Sequence, residues 1–109
     1  MVSAELALTV PAVLLVLAIC LTALALGIDQ VRVTDAARVG ARAASRGEDT
    51  ALVRQLAQER APDGSRITVQ TSGDGVRITV VAPSRARLLP DLMQARGSAQ
   101  ARWEPGVEP

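Results

Sequence analysis

Residues that could carry out chemistry are few and scattered along this chain. There is no histidine, and the single cysteine, Cys20, lies inside a long apolar run. An internal disulfide or a thiolate cluster for a metal is therefore not available. The carboxylates occur singly, Gly73-Asp74-Gly75 reads as a turn, and neither a glycine-rich phosphate loop nor a nucleophile elbow is present. These observations predict a protein that is not an enzyme and that binds no cofactor, metal or small-molecule substrate.

Composition limits what the rest of the chain can build. The chain has 109 residues, a formal charge of +1, no Phe or Tyr and one Trp. A charge so close to zero argues against a nucleic-acid partner. All 12 basic residues are Arg, which suggests the GC-rich genome of a bacterium. Outside the apolar run the core can contain little more than Leu, Ile, Val and Ala, so we expect marginal stability without a partner.

The apolar run from Leu6 to Ile28 contains no charged residue. As a helix it would be about 35 Å long at ~1.5 Å per residue, which is enough to span a bilayer core of roughly 30 Å. No basic residue precedes the run and no cleavage motif follows it, so the sequence favours a retained transmembrane helix over a removed signal peptide. Residues 1–5 then form a short segment before a transmembrane helix at 6–28.

Two residues at the start of this helix need separate explanations. Glu5 is a carboxylate at the edge of lipid, where it either reaches headgroup water or pairs with a cation from another chain. Pro11 removes one backbone donor, which membrane helices tolerate when neighbouring groups compensate.

The helix is predicted to continue through a membrane-proximal part at 29–47, until Gly47 ends it. Small residues form one surface of this part, on which another helix could approach closely: Ala36, Ala37, Gly40, Ala41, Ala43 and Ala44. Arg38, Arg42 and Arg46 recur every fourth residue and form a stripe. That stripe is either a solvated face or a binding face, and Asp35 is placed to pair with Arg38.

Residues 48–103 are predicted to form a small α+β head. A short helix follows Glu48 or Asp49 and continues to about Arg60. Alternating residues at Arg66–Thr71 and Val76–Ala82 predict a β-hairpin, and Ser98–Trp103 could supply a third strand. Leu88–Leu92 reads as an apolar connection, and residues 104–109 as a flexible tail.

Two stretches resemble a known family. Ala4-Glu5-Leu6-Ala7-Leu8-Thr9-Val10-Pro11, with Glu followed six residues later by Pro at the start of an apolar helix, is similar to the opening of TadE-like proteins. Ala36-Ala37-Arg38-Val39-Gly40-Ala41-Arg42-Ala43-Ala44 resembles the AAR-x-GAR signature that follows the membrane helix in that family. The resemblance covers about the first half of the chain.

The resemblance implies a minor pilin of the tight-adherence (Flp) pilus, with a pilin-like fold and a non-catalytic role in assembly. Its implied partners are the membrane, other pilus subunits, assembly-platform proteins and a prepilin peptidase that cuts just before the apolar helix. It assigns assembly contacts to Glu5, Pro11, Ala36, Ala37, Arg38, Gly40, Ala41 and Arg42. Glu5 would meet the amino terminus of a neighbouring subunit. The family's short basic leader ending in Gly is missing here, so either the coding start was assigned late or processing is unusual.

Charge and resemblance disagree on topology. Arg32, Arg38, Arg42 and Arg46 follow the apolar run, and by the positive-inside rule they would place the head in the cytoplasm. The resemblance implies a head outside the bacterial cytoplasmic membrane, and we expect that orientation because an unseen basic leader would add positive charges before the apolar run, which acidic residues do not offset under this rule. The alternative is a single-pass scaffold or regulatory protein with a cytoplasmic head.

Overall fold

The computed structural model describes residues 2–85 and 94–106. Its elements are the helices α1 (Val2–Ser45) and α2 (Thr50–Arg60) and the strands β1 (Arg66–Thr71), β2 (Gly75–Val81) and β3 (Arg96–Arg102). A long amino-terminal helix, a short helix and an antiparallel sheet confirm the predicted α+β class. The predicted connection at Leu88–Leu92 lies outside the described residues.

Helix α1 is continuous through Pro11 and extends for 44 residues, or about 66 Å at ~1.5 Å per residue. It ends where the sequence predicted. Gly47 has a φ of 84°, its N–H donates to the carbonyl of Ala44 at 3.0 Å, and the N–H of Glu48 donates to that of Ala43 at 3.3 Å. This pair of bonds is a Schellman motif, which places Gly at the left-handed position. The chain can therefore reverse into α2.

The sheet has the order β1-β2-β3, and both neighbouring pairs are antiparallel. In the β1–β2 hairpin, the N–H of Ser72 donates to the carbonyl of Gly75 at 2.8 Å across the predicted turn. The indole Nε1 of Trp103 donates to the carbonyl of Ser72 at 2.9 Å. This bond ties the end of β3 to the hairpin turn.

The inner face of the sheet packs on α1. Ile78 and Val80 are fully buried at its centre, and Val53 and Ala57 of α2 contribute from the side. From α1 the core receives mainly very small side chains: Val33, Ala36, Ala37, Ala41, Ala43 and Ala44. Because these side chains are short, the sheet lies close to the helix. A Cβ on Gly97 of β3 would be only 2.8 Å from the backbone nitrogen of Thr34.

The third strand and the tail differ from expectation. β3 begins at Arg96, two residues before the predicted Ser98, because it pairs with β2 along its whole length, from Arg96↔Val81 to Arg102↔Gly75. Residue 104, assigned to the flexible tail, is fixed at its backbone, since the N–H of Glu104 donates to the carbonyl of Ser45 at 3.0 Å. The carboxyl-terminal end of β3 is thereby attached to the end of α1.

Candidate interaction surfaces

The amino-terminal part of α1 presents bare apolar surface in every direction. The most apolar stretch of the helix is long enough to cross a membrane, and none of it is buried within the described structure. Its exposed large side chains range from 50% exposure at Leu17 to 77% at Leu8, whereas Leu26 is partly buried. An apolar surface of this extent marks a membrane or protein contact in a folded protein.

Glu5 and Pro11 lie at the beginning of this bare surface, and both are exposed. Glu5 is in the first turn of α1, where the positive end of the helix dipole favours a carboxylate. The hydroxyl of Thr9 donates to the backbone carbonyl of Glu5 at 2.7 Å. The Glu5 carboxylate itself makes none of the ion pairs found among the described residues. It is therefore free to meet a cation from outside the chain.

The predicted small-residue surface of α1 is occupied within this chain. Ala36 and Ala37 are fully buried, and Ala41 is 3% exposed. A Cβ on Gly40 would lie 3.2 Å from Ile78 of β2 and 3.4 Å from Ala57 of α2. The helix that approaches this surface is therefore α2 of the same chain, together with the sheet. These residues position the head on α1, and they are not exposed for contact with another chain.

Arg38 and Arg42 lie on the opposite side of α1 and are exposed, as is Arg46. Asp35 pairs with Arg60 of α2 at 3.3 Å, and not with Arg38 one turn along the same helix. The pairing expected from local spacing was wrong because α2 brings a guanidinium next to Asp35 from across the fold. Arg38 and Arg42 stay available to solvent or to a partner.

One ion pair at the end of the apolar run was not anticipated from the sequence. Arg85 donates from Nε to Oδ2 of Asp29 at 2.7 Å and from Nη2 to Oδ1 at 2.8 Å. Asp29 is 2% exposed, whereas the Arg85 side chain is 45% exposed. These hydrogen bonds from Arg85 lower the pKa of Asp29 against the opposing effect of burial, and the positive charges of Arg85 and Arg32 lower it further. The carboxylate is therefore kept ionised where α1 leaves its apolar run.

Asp29 is the first charged residue after the apolar run, which was the only available signal in the sequence. Its partner lies 56 residues away, beyond the reach of any local pattern. Within residues 2–85 and 94–106, no group of three or more His, Cys, Asp or Glu side chains is placed to hold a metal ion.

These features define a class of protein: a small α+β head seated on one end of a long helix whose other end is apolar and bare. The chain is 40% identical over 103 residues to the Apoptosis inhibitor Rv3655c of Mycobacterium tuberculosis (strain ATCC 25618 / H37Rv). The alignment covers 94% of this chain and 78% of that protein. The chain belongs to the same family as this mycobacterial protein. No protein-family model matches the sequence, and no solved structure matches it.

Proposed function

We propose that the chain is a TadE-like minor pilin, anchored in the bacterial cytoplasmic membrane by α1 and acting without catalysis in the assembly of a tight-adherence (Flp-like) pilus. The observation that carries this proposal is the division of α1 into two parts. The first part is apolar on all sides and bare, and the second is covered by a three-stranded sheet. This division fits a subunit that is anchored by one part of its helix and presents a folded head on the other part.

The exposed carboxylate of Glu5 supports the proposal. At the edge of lipid, a carboxylate is stabilised by a cation, and the ammonium group at the amino terminus of a neighbouring subunit would supply one. The partners are then other pilus subunits, assembly-platform proteins and a prepilin peptidase. Arg38 and Arg42 are exposed beyond the membrane and would face these partners, whereas Ala36, Ala37, Gly40 and Ala41 act by holding the head.

The topology of the full chain tests this proposal. A reporter active only outside the cytoplasm and a reporter active only inside it are fused after Pro109 in parallel strains. We expect activity from the external reporter alone. Activity from the cytoplasmic reporter alone would reject the pilin assignment and favour a membrane scaffold or regulator, which is the orientation that Arg32, Arg38, Arg42 and Arg46 predict by the positive-inside rule.

Replacing Glu5 with Gln is expected to reduce the yield of subunits cross-linked to pilus components by tenfold or more. A loss of about 1.4 kcal/mol in the contact is enough for that factor. The measurement is in vivo cross-linking followed by quantification of the cross-linked product. Glu48→Gln is the matched control, because Glu48 is also an exposed carboxylate but lies beyond α1, at the head. If both variants insert into the membrane and give equal yields of cross-linked product, Glu5 has no role in assembly.

A second candidate function follows from the name of the mycobacterial relative, which describes an inhibitor of apoptosis. We propose it as an alternative because the alignment covers nearly the whole chain. Host cells exposed to strains with and without the gene would be compared for the fraction that undergo apoptosis. If the apoptotic fraction is unchanged while pili are lost, the inhibitor role is rejected and the assembly role is kept.

A further inference from the structure

One end of the head is held next to the apolar run of α1. The side-chain amide of Gln30 donates to the backbone carbonyl of Arg96 at 2.9 Å. Nη2 of Arg32 donates to the carbonyl of Ala61 at 3.2 Å, and Arg85 reaches Asp29. All three helix residues follow Ile28 within four positions. Their partners in the head, Arg96, Ala61 and Arg85, therefore lie at the end of the head that is nearest to the apolar run.

The opposite end of the head is fixed just as clearly. The backbone bond from Glu104 to Ser45 holds the end of β3 at the far end of α1, and Trp103 bonds to the hairpin turn there. β3 thus extends along α1, with Arg96 at the end near the apolar run and Arg102 at the end away from it. Each strand of the sheet therefore has a defined near end and far end.

Two arginines occupy the near end of the outer sheet face. The register places Arg66 of β1 and Arg96 of β3 on either side of Val81 of β2. Neighbouring strands are about 4.8 Å apart, so the two backbones are roughly 10 Å apart. Ile67 and Gly97 are buried, and alternation along a strand directs Arg66 and Arg96 outward, where both are exposed.

Carboxylates of the same fold balance part of the positive charge at this end, since Asp29 faces Arg85 and Arg32 and Asp35 pairs with Arg60. Among residues 2–85 and 94–106, the ion pairs join Arg85 to Asp29 and Arg60 to Asp35, so neither involves Arg32, Arg66 or Arg96. Two further exposed carboxylates lie near this end, Glu59 in the last turn of α2 and Asp63 in the turn before β1. We call Arg32, Arg66, Arg85 and Arg96 the basic rim.

We propose that the basic rim binds the headgroups of anionic phospholipids in the membrane that α1 crosses. Gln30, which contacts Arg96, is two residues past Ile28, or about 3 Å along the helix. The headgroup layer is roughly 5–8 Å thick on each side of the hydrocarbon core, so Arg66 and Arg96 reach it. Basic residues at this depth are attracted to anionic lipids in the leaflet that the head faces, wherever that leaflet contains them. The inference rests on the membrane insertion in the proposed function and not on pilus assembly.

Lipid explains the rim better than a nucleic acid does. Proteins that bind single-stranded nucleic acid combine basic grooves with aromatic side chains for stacking. The only aromatic residue of this chain, Trp103, is at the far end of the head, away from the basic rim.

The test measures lipid selectivity of the full chain in vesicles of phosphatidylcholine. Spin-labelled phosphatidylglycerol and spin-labelled phosphatidylcholine are compared by electron paramagnetic resonance for their share of motionally restricted lipid. We expect the wild type to prefer phosphatidylglycerol about two- to fivefold at low salt, and the preference to weaken at high salt. Insertion is verified separately by resistance to alkaline extraction, so that failed insertion is distinguished from failed lipid binding.

Two double variants distinguish the effect of the basic rim on lipid preference from the effect of the overall positive charge of the head. Arg66→Gln with Arg96→Gln should lower the preference by half or more. Arg77→Gln with Arg102→Gln removes the same charge from exposed positions at the far end of the same sheet and should leave it unchanged. Circular dichroism establishes that both variants keep their fold. An inserted wild type without preference, or equal losses in the two variants, would overturn the proposal.

Discussion

Replacing Gly97 with Ala is expected to destabilise the protein by about 1–3 kcal/mol, the usual cost of overpacking a close contact. The new methyl carbon would lie 2.8 Å from the backbone nitrogen of Thr34 and 2.9 Å from the carbonyl carbon and oxygen of Val33. All three are backbone atoms inside α1, so they cannot rotate away as a side chain would. Relief requires that β3 move away from the helix, which weakens the packing of the whole sheet.

Thermal unfolding of the full chain in lipid nanodiscs, followed by Trp103 fluorescence, measures this effect. A loss of 1 kcal/mol lowers the Tm by about 4–8 °C in a domain of this size. Gly73→Ala is the control, because a Cβ at Gly73 meets no atom within 4 Å. Gly97→Val should lower the Tm more than Gly97→Ala does. Tm values for Gly97→Ala and Gly73→Ala that agree within error would show that β3 is not seated on α1 as described.

Replacing Arg85 with Gln is expected to destabilise the protein more than replacing Asp29 with Asn. The first change leaves an ionised carboxylate, 2% exposed, without its two charged hydrogen bonds. A buried charge that loses its partner is strongly destabilising. The second change keeps the shape and one acceptor, and Arg85 can then extend into water. We expect Asp29→Asn to cost about 1–2 kcal/mol, since the half-exposed position of Arg85 weakens the pair.

The ion pair between Arg60 and Asp35 supplies the control. Arg60→Gln breaks the contact with Asp35. The side chains of Arg60 and Asp35 are 59% and 51% exposed, and exposed ion pairs contribute about 0–1 kcal/mol to the free energy of unfolding. The free energy of unfolding should therefore fall least for Arg60→Gln and most for Arg85→Gln. The opposite order would mean that Asp29 does not depend on Arg85.

The pH dependence of the Asp29→Asn effect checks the same contact independently. Because Arg85 lowers the pKa of Asp29 in the folded protein, the carboxylate stabilises the fold above its unfolded pKa of about 3.9 and loses this effect as pH falls through the lower folded value. The difference in free energy of unfolding between wild type and variant should be constant above about pH 5 and shrink below about pH 4. A difference that persists unchanged in acid would contradict an ionised Asp29.

Local patterns predicted both helices and the hairpin, although β2 runs from Gly75 to Val81, one residue earlier than the predicted Val76–Ala82. Strict alternation gave β1 at Arg66–Thr71 with its observed bounds, and Gly47 ended α1 because only glycine readily adopts the left-handed conformation required there. β3 was less well defined from its own residues, because Gly97 and Ala99 carry little apolar signal. Their small size is explained only by the helix on which they lie.

The contacts between distant parts of the chain could not be predicted in the same way. Arg85 is 56 residues from Asp29, and Arg60 is 25 residues from Asp35. The small-residue surface of α1 was identified correctly as a site of close approach, but the elements that approach it are the sheet and α2 of the same chain. A sequence pattern indicates that a surface is shaped for contact, and it does not say which part of the fold will cover it.

The seating of the sheet on α1 also determines when the head can fold. Gln30 and Ser45 hold the two ends of β3, which is the last strand in the chain and lies 66 residues from Gln30 at its first contact. Until Arg96–Arg102 has been synthesised, only α2 and β2 are available to cover the small-residue surface of α1. The head can therefore complete its fold only after this last strand has been made.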